Sequence, residues 1–129
     1  MVKGISETAF ASQVEDLFEI FHWRWTHFRP AWSAKGYRTP IKGYKGFPDY
    51  VAVRPPRLLF TELKSDKTKT SPEQNEWLDD LKECVKQITI APIEKGKIPA
   101  REAELSLFPS FEVYLWRPDM IEEVTRILR

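Results

Sequence analysis

Apolar residues recur at helical spacing near the start of the chain, and Ser6 and Glu7 come directly before them. This spacing predicts an amphipathic helix from about residue 6 to about His22. The apolar stripe consists of Phe10, Val14, Leu17, Phe18 and Phe21. At about 100° per residue, Glu7 falls in the middle of this stripe and Glu15 lies to its side. Glu7 is therefore either an acid that reaches a site at the edge of the core or a first-turn acid favoured by the helix dipole.

Alternating and glycine-rich patterns follow this helix. Residues 23–28 are rich in aromatics and alternate in character, which predicts a strand that ends at Arg29-Pro30. Residues 31–46 contain Gly36, Gly43, Gly46 and Pro40 and are expected to form one long loop. A loop of that length in a small domain is often functional.

Two short strands are predicted on either side of Pro55-Pro56. The first is 49–54 and the second is 57–64, so the pair is expected to form a hairpin. Side chains alternate between the two faces of a strand. Glu62 and Lys64 therefore point the same way, and Leu63 points to the opposite face.

The second half begins with a helix signature. Ser71-Pro72-Glu73-Gln74 has a capping serine, a proline at the first helical position and a glutamine three residues after the serine. Residues 88–110 form an extended connection with no assigned structure, residues 111–116 predict a strand, and residues 120–128 predict a final helix. The resulting order favours a single α/β domain, residues 1–129, with helices packed on a sheet.

Composition narrows the class of protein. The chain has 129 residues and 15.2 kDa, with 42% hydrophobic and 30% charged residues, which suits one folded domain. Its single cysteine, Cys84, excludes an internal disulfide and a cysteine-based zinc cluster. No apolar run approaches the length of a membrane span, and the first residues lack the apolar region of a signal peptide. We therefore expect a soluble cytoplasmic protein without a membrane partner.

Charge is distributed unevenly, although the net charge is only +1. Residues 23–57 contain eight basic residues and the single acid Asp49, so this segment carries +7 and the remainder of the chain carries −6. A lone acid within a basic segment suits an anionic polymer held at a metal site. The alternative is a solvated loop that is rich in basic residues.

Asp49 and Glu62 are the candidate chemical groups, because they fall at the same edge of the predicted hairpin. Two close carboxylates repel each other unless one is protonated or a cation lies between them. Mg²⁺ prefers such oxygen ligands, to which the carbonyl of Leu63 would add a third. Lys64 would lie beside the water bound to that metal. Its alternative role is a surface ion pair with Glu62.

These motifs together resemble a known family. The residues that carry the resemblance are Ser6-Glu7, Gly46-Phe47-Pro48-Asp49, Glu62-Leu63-Lys64, Ser71-Pro72-Glu73-Gln74 and residues 113–118. The chain is similar to the VRR-NUC family of the PD-(D/E)xK nuclease superfamily, over nearly its whole length.

The resemblance implies a restriction-endonuclease-like αβββαβ core, with a central mixed sheet flanked by helices. It also implies hydrolysis of DNA phosphodiester bonds with Mg²⁺ or Mn²⁺, and a role in DNA repair or recombination. Stand-alone members, many from phages, resemble homodimeric Holliday-junction resolvases that act on branched DNA. Members fused to larger repair proteins act instead on flaps.

Roles follow from the resemblance residue by residue. Asp49 and Glu62 correspond to the metal ligands, Lys64 to the catalytic lysine, and Gln74 to the helix glutamine that borders the site. Glu7 corresponds to the acid of the first helix, which is expected to join the metal site. Glu15 is the second candidate for that last role.

Several residues are candidates for contact with nucleic acid. Arg38, Lys42 and Lys45 suit phosphate contacts, which need only charge and reach. Trp32 could stack on a base, and His27 lies on the strand that leads into the basic segment. The alternatives to a junction resolvase are a flap nuclease, an inactive nucleic-acid-binding module, and a purely structural protein.

Overall fold

Three helices and six strands make up the described part of the computed structural model, which covers residues 4–28, 31–33, 36–38, 42–94 and 110–129. The helices are α1 (Glu7–Ile20), α2 (Pro72–Glu94) and α3 (Ile121–Leu128), the last preceded by a 3-10 turn, Pro118–Met120. The strands are β1 (Arg24–His27), β2 (Ala31–Ser33), β3 (Gly36–Arg38), β4 (Tyr50–Arg54), β5 (Arg57–Leu63) and β6 (Ser110–Trp116). The prediction of a mixed α/β fold is confirmed.

Four strands form the main sheet in the order β1, β4, β5, β6. The first three are antiparallel neighbours, and β6 lies parallel to β5. Parallel neighbours need a crossover connection, and α2 lies in the chain between β5 and β6. The predicted hairpin is confirmed, with Tyr50 opposite Thr61 and Arg54 opposite Arg57.

The first helix packs as its apolar pattern predicts. Ser6 caps it, because the backbone N–H of Ala9 donates to Ser6 Oγ at 3.1 Å. Phe10, Val14 and Phe18 are fully buried. They share one core with the strands and with α3, formed with Trp23, Tyr50, Ala52, Leu59, Leu63, Trp116, Val124 and Leu128. None of the helices in the described ranges is both long enough and apolar enough to cross a membrane.

Two predictions about connections are wrong. Residues 31–46 are not one continuous loop, because β2 and β3 pair as a small antiparallel sheet with Ala31 opposite Arg38. Strands of three residues are too short to show a two-residue alternation in the sequence. The connection predicted for 88–110 begins later than expected, since α2 continues to Glu94. Residues 95–109 lie outside the described residues. The isoleucines and Pro92 lower helix propensity here, which hid the continuation.

The segment before Asp49 is fixed against the start of α2. The indole N–H of Trp77 donates to the carbonyls of Lys45, at 3.1 Å, and Tyr44, at 3.2 Å. The ring of Phe47 meets the ring of Trp77 edge-on, with the ring centres 4.9 Å apart. Gly46 approaches so closely that a Cβ there would lie 2.7 Å from the carbonyl carbon of Glu73. This contact requires glycine.

Replacing Gly46 by alanine is expected to lower the free energy of unfolding more than replacing Gly43. Both glycines have positive φ angles, 95° and 109°, so both variants carry backbone strain. Only the Cβ at Gly46 also meets backbone atoms of α2, whereas a Cβ at Gly43 meets nothing within 4 Å. Urea unfolding of Gly46→Ala and Gly43→Ala measures the difference, which we expect to exceed about 1 kcal/mol. Equal losses would contradict the close approach.

Candidate active site

Asp49 and Glu62 meet where the hairpin opens, one position beyond the Tyr50–Thr61 pair. The backbone N–H of Asp49 donates to Glu62 Oε2 at 3.2 Å. The backbone N–H of Leu63 donates to Asp49 Oδ2 at 3.0 Å. Each acid is therefore held by the backbone of the opposite strand, which fixes the two carboxyls side by side.

Glu62 is also contacted by Gln74 of α2 and by Lys64, which directly follows its own strand. The side chain of Glu62 is only 2% exposed. Gln74 Nε2 donates to Glu62 Oε1 at 2.9 Å, and Lys64 Nζ lies 3.7 Å from the same oxygen. Lys64 is itself only 12% exposed, so the pair is more shielded from water than a surface ion pair. The structure thus brings together the predicted group of Asp49, Glu62, Lys64 and Gln74.

The capping box at the start of α2 orients Gln74. The backbone N–H of Ser71 donates to Gln74 Oε1 at 2.9 Å, and the backbone N–H of Gln74 donates to Ser71 Oγ at 3.2 Å. Because the amide oxygen is taken by Ser71, the amide nitrogen faces Glu62. The predicted helix start is confirmed, and it also positions a residue of the site.

Burial raises the pKa values of both acids. Burial, followed by the negative charge of Asp49, raises the pKa of Glu62 to about 8, and the nearby Lys64 opposes this rise. Burial also raises the pKa of Asp49, while the Leu63 N–H and the charges of His27 and Lys64 act in the opposite direction. Both carboxyls therefore favour either a shared proton or a cation.

The carboxylates of Asp49 and Glu62, together with the carbonyl of Leu63, fit a hard divalent cation. The N–H and C=O of one residue in an extended strand point to the same side. The carbonyl of Leu63 therefore faces the side on which its N–H meets Asp49. Mg²⁺ needs only one or two protein carboxylates besides carbonyls and waters. Within the described ranges, no group of three or more His, Cys, Asp or Glu side chains is arranged to hold a metal ion.

A cleft of about 450 Å³ lies between α1 and the hairpin end, and both candidate acids of the first helix line it. Glu7 is exposed, and Glu15, eight residues later, is half-buried. Asp49 and Leu63 line the same cleft. Helical phase predicted that Glu7 would be better placed than Glu15, but the helix presents both to the cleft. A spacing of eight residues turns a side chain by only about 80° around the helix, so both acids border the same wide cleft.

Glu15 makes the closer contacts in this cleft. The hydroxyl of Tyr50 donates to Glu15 Oε2, and His27 Nδ1 lies 3.6 Å from the same oxygen. The rings of His27 and Tyr50 stack with their centres 4.1 Å apart. His27, predicted to contact nucleic acid, therefore forms part of the wall next to Asp49.

The other predicted nucleic-acid contacts are placed unevenly. Lys42 is exposed. Lys45 is also exposed, with its Nζ 3.4 Å from a carboxylate oxygen of Glu73. The side chains of Trp32 and Arg38 lie outside the described part of the structure; their backbones belong to β2 and β3.

Two arginines of the basic segment serve the fold at the far end of the hairpin. Arg54 donates to the carbonyls of Phe21 and Leu128, at 3.0 and 2.9 Å. Arg57 makes a bidentate pair with Glu112, at 2.8 and 2.6 Å. Both arginines belong to the basic segment 23–57, but their charged groups bind carbonyls and a carboxylate within the fold.

Trp77 has a role that its sequence position does not indicate. Its ring is half-buried, and its N–H holds the segment before Asp49. The aromatic pattern alone does not reveal this contact, because the two elements lie more than thirty residues apart.

Comparison with known proteins adds no identification. No protein-family model matches the chain, and no curated protein or solved structure matches it significantly.

Glu62 is expected to make the metal-free protein less stable as pH rises. In the unfolded chain this carboxyl ionises near its usual value of 4.5, whereas in the folded protein its pKa is about 8. Between these values the folded state holds the extra proton, so stability falls with pH, by up to about 1.4 kcal/mol per unit. Urea unfolding from pH 5 to about pH 8 in the presence of a chelator measures the slope.

Glu62→Gln is the matched variant, because it keeps an acceptor oxygen without the charge. It is expected to lose most of this slope. Glu83→Gln, on the exposed surface of α2, is the control and is expected to behave as the wild type. An unchanged slope in Glu62→Gln would show that the buried carboxyl ionises normally.

Proposed function

We propose that this protein is a metal-dependent nuclease that hydrolyses phosphodiester bonds in DNA. The observation that carries the proposal is the convergence of Asp49, Glu62, Lys64 and Gln74 at one end of the hairpin, with 2.9 Å between Gln74 Nε2 and Glu62 Oε1. Two carboxylates, a lysine and a strand carbonyl suit phosphodiester hydrolysis with a hard cation. The site chemistry supports the VRR-NUC family as the kind of nuclease.

The order of elements supports the same proposal. If β2 and β3 are regarded as an insertion, α1, β1, β4, β5, α2 and β6 follow one another as αβββαβ. The central strands are antiparallel and the last is parallel to its neighbour. We propose that this is a restriction-endonuclease-like core.

Each residue of the site has a distinct task in this proposal. Asp49, Glu62 and the carbonyl of Leu63 would hold Mg²⁺ or Mn²⁺. When bound, the cation would acidify a water and offset negative charge on the phosphate. Lys64 orients the nucleophile and stabilises the negative charge that grows on the phosphate oxygens. Gln74 holds Glu62 in place through its hydrogen bond.

We propose branched DNA as the substrate and a homodimer as the active form. Paired cuts in a four-way junction need two sites related by a two-fold axis, which a C₂ dimer provides. A flap nuclease needs one site only. The pattern of cuts therefore distinguishes these two possibilities.

Cleavage of a four-way junction, a flap and a linear duplex tests the proposal. With Mg²⁺ or Mn²⁺, the wild type is expected to cut a branched substrate faster than the duplex, and paired symmetric cuts would support the dimer. Lys64→Ala and Asp49→Asn are expected to lower the rate by about 10²–10³-fold, because each removes a group that stabilises the transition state or its metal.

Matched controls come from exposed positions of α2. Lys86→Ala and Asp79→Asn change the same residue types away from the site and are expected to retain the wild-type rate. No cleavage of any substrate by the wild type, or full activity of Lys64→Ala, would overturn the nuclease proposal. Salt-sensitive DNA binding without cleavage would instead indicate an inactive binding module.

Binding of the cation can be measured without DNA. A ligand that binds only the folded state stabilises it by about 2.7 kcal/mol at a concentration one hundred times its Kd. Mg²⁺ or Mn²⁺ is therefore expected to raise the free energy of unfolding of the wild type and of Asp79→Asn. Asp49→Asn is expected to lose this response, and an equal response in that variant would place the cation elsewhere.

A further inference from the structure

Tyr44 is an aromatic residue with 88% of its surface exposed. It lies in a turn between Gly43 and Gly46, which have φ angles of 109° and 95°. Lys42 and Lys45, both exposed, lie on either side of it. An exposed aromatic ring between lysines is the combination that single-stranded nucleic acid binds, through base stacking and phosphate attraction.

The turn is held in place by the helix below it. Trp77 donates its indole N–H to the carbonyls of both Tyr44 and Lys45. Gly46 lies directly against the backbone of Glu73. Tyr44 is therefore presented on an anchored turn, so little ordering would be needed when a ligand stacks on it.

A cleft of about 470 Å³ lies between this turn and α2. Tyr44 and Trp77 give it aromatic walls, while Glu73, Glu76 and Asp80 line its helix side. Carboxylates repel phosphate but accept hydrogen bonds from the amino groups of bases. Lys45 also lines the cleft, where its Nζ lies 3.4 Å from a carboxylate oxygen of Glu73. The acids therefore favour a base inside the cleft, with the phosphate backbone outside it beside Lys42.

This cleft lies close to the candidate active site. Tyr44 precedes Asp49 by five residues, so their Cα atoms are within about 17 Å of each other. Gln74, which contacts Glu62, lies one helical turn from Trp77. At about 3.4 Å per nucleotide, the two sites are within roughly five nucleotides on one strand.

We propose that the cleft between Tyr44 and Trp77 takes one unpaired nucleobase of the DNA, with Tyr44 stacking on it. The inference rests on the proposed function, and it names the feature of branched DNA that this protein selects. Unpaired bases are available at flaps and at open junction centres but not within a closed duplex, so Tyr44 is a specificity-determining residue.

The test is fluorescence of 2-aminopurine in short single-stranded DNA, measured with a chelator so that no cleavage occurs. Stacking on an aromatic side chain is expected to quench the fluorescence when the wild type binds. Tyr44→Ala is expected to remove most of the quenching and to weaken binding roughly tenfold. Tyr44→Trp is expected to restore both, and Tyr44→Leu is expected to restore neither, because only an aromatic ring can stack.

Ile20→Ala is the control, because Ile20 is 62% exposed at the end of α1 and lies outside the cleft. It is expected to bind and quench as the wild type does. Urea unfolding of each Tyr44 variant checks that the fold is retained. Equal binding and quenching by wild type and Tyr44→Ala would overturn the inference, as would equal binding by Tyr44→Leu.

The two proposals fail separately. Cleavage that depends on Lys64, together with binding that is indifferent to Tyr44, would overturn the base cleft and leave the nuclease standing. Quenching that depends on Tyr44, without cleavage of any substrate, would support the base cleft and overturn the nuclease.

Discussion

The buried carboxyl of Glu62 joins three parts of the chain that are distant in sequence. It accepts a hydrogen bond from the backbone of Asp49 and another from Gln74 at the start of α2. An ionised carboxylate at 2% exposure costs free energy unless donors or a cation compensate it. The N–H of Asp49, the amide of Gln74 and the ammonium group of Lys64 supply part of that compensation. The raised pKa of Glu62 shows that compensation is incomplete in the protein alone.

The residues that cap the start of α2 therefore also orient a side chain of the candidate site. The capping box satisfies orphan donors of the helix and leaves the amide nitrogen of Gln74 directed at Glu62. Three residues after Gln74, Trp77 of the same helix holds the segment before Asp49. A displacement of this helix end would move the support of Glu62 and the chain leading into Asp49 together.

The features that the sequence predicts correctly are those that depend on residues close together in the chain or on directly paired strands. The hairpin follows from alternation on either side of Pro55-Pro56, and the position of α2 follows from Ser71 and Gln74. The meeting of Asp49 with Glu62 then follows from strand geometry. These parts need only contacts between neighbours or between paired strands.

Contacts between elements that are distant in sequence do not follow from the local sequence pattern. The role of Trp77 depends on where α2 docks, and the exposure of Tyr44 depends on that same contact. Helical phase favours Glu7 over Glu15, but it does not give the width of the cleft, which both acids line. The assignment to a nuclease family stays a prediction, because it depends on chemistry that short motifs and geometry suggest but that only cleavage can measure.

Specific contacts at both ends of the hairpin select the register in which its two strands pair. At the closed end Arg54 binds the carbonyls of Phe21 and Leu128, and at the open end Asp49 and Leu63 exchange contacts with the opposite strand. A slip of one residue would turn every side chain to the other face and break both sets of contacts at once. A hairpin in the wrong register therefore loses the contacts at both ends. The register that keeps them is also the one that places the carboxyls of Asp49 and Glu62 side by side.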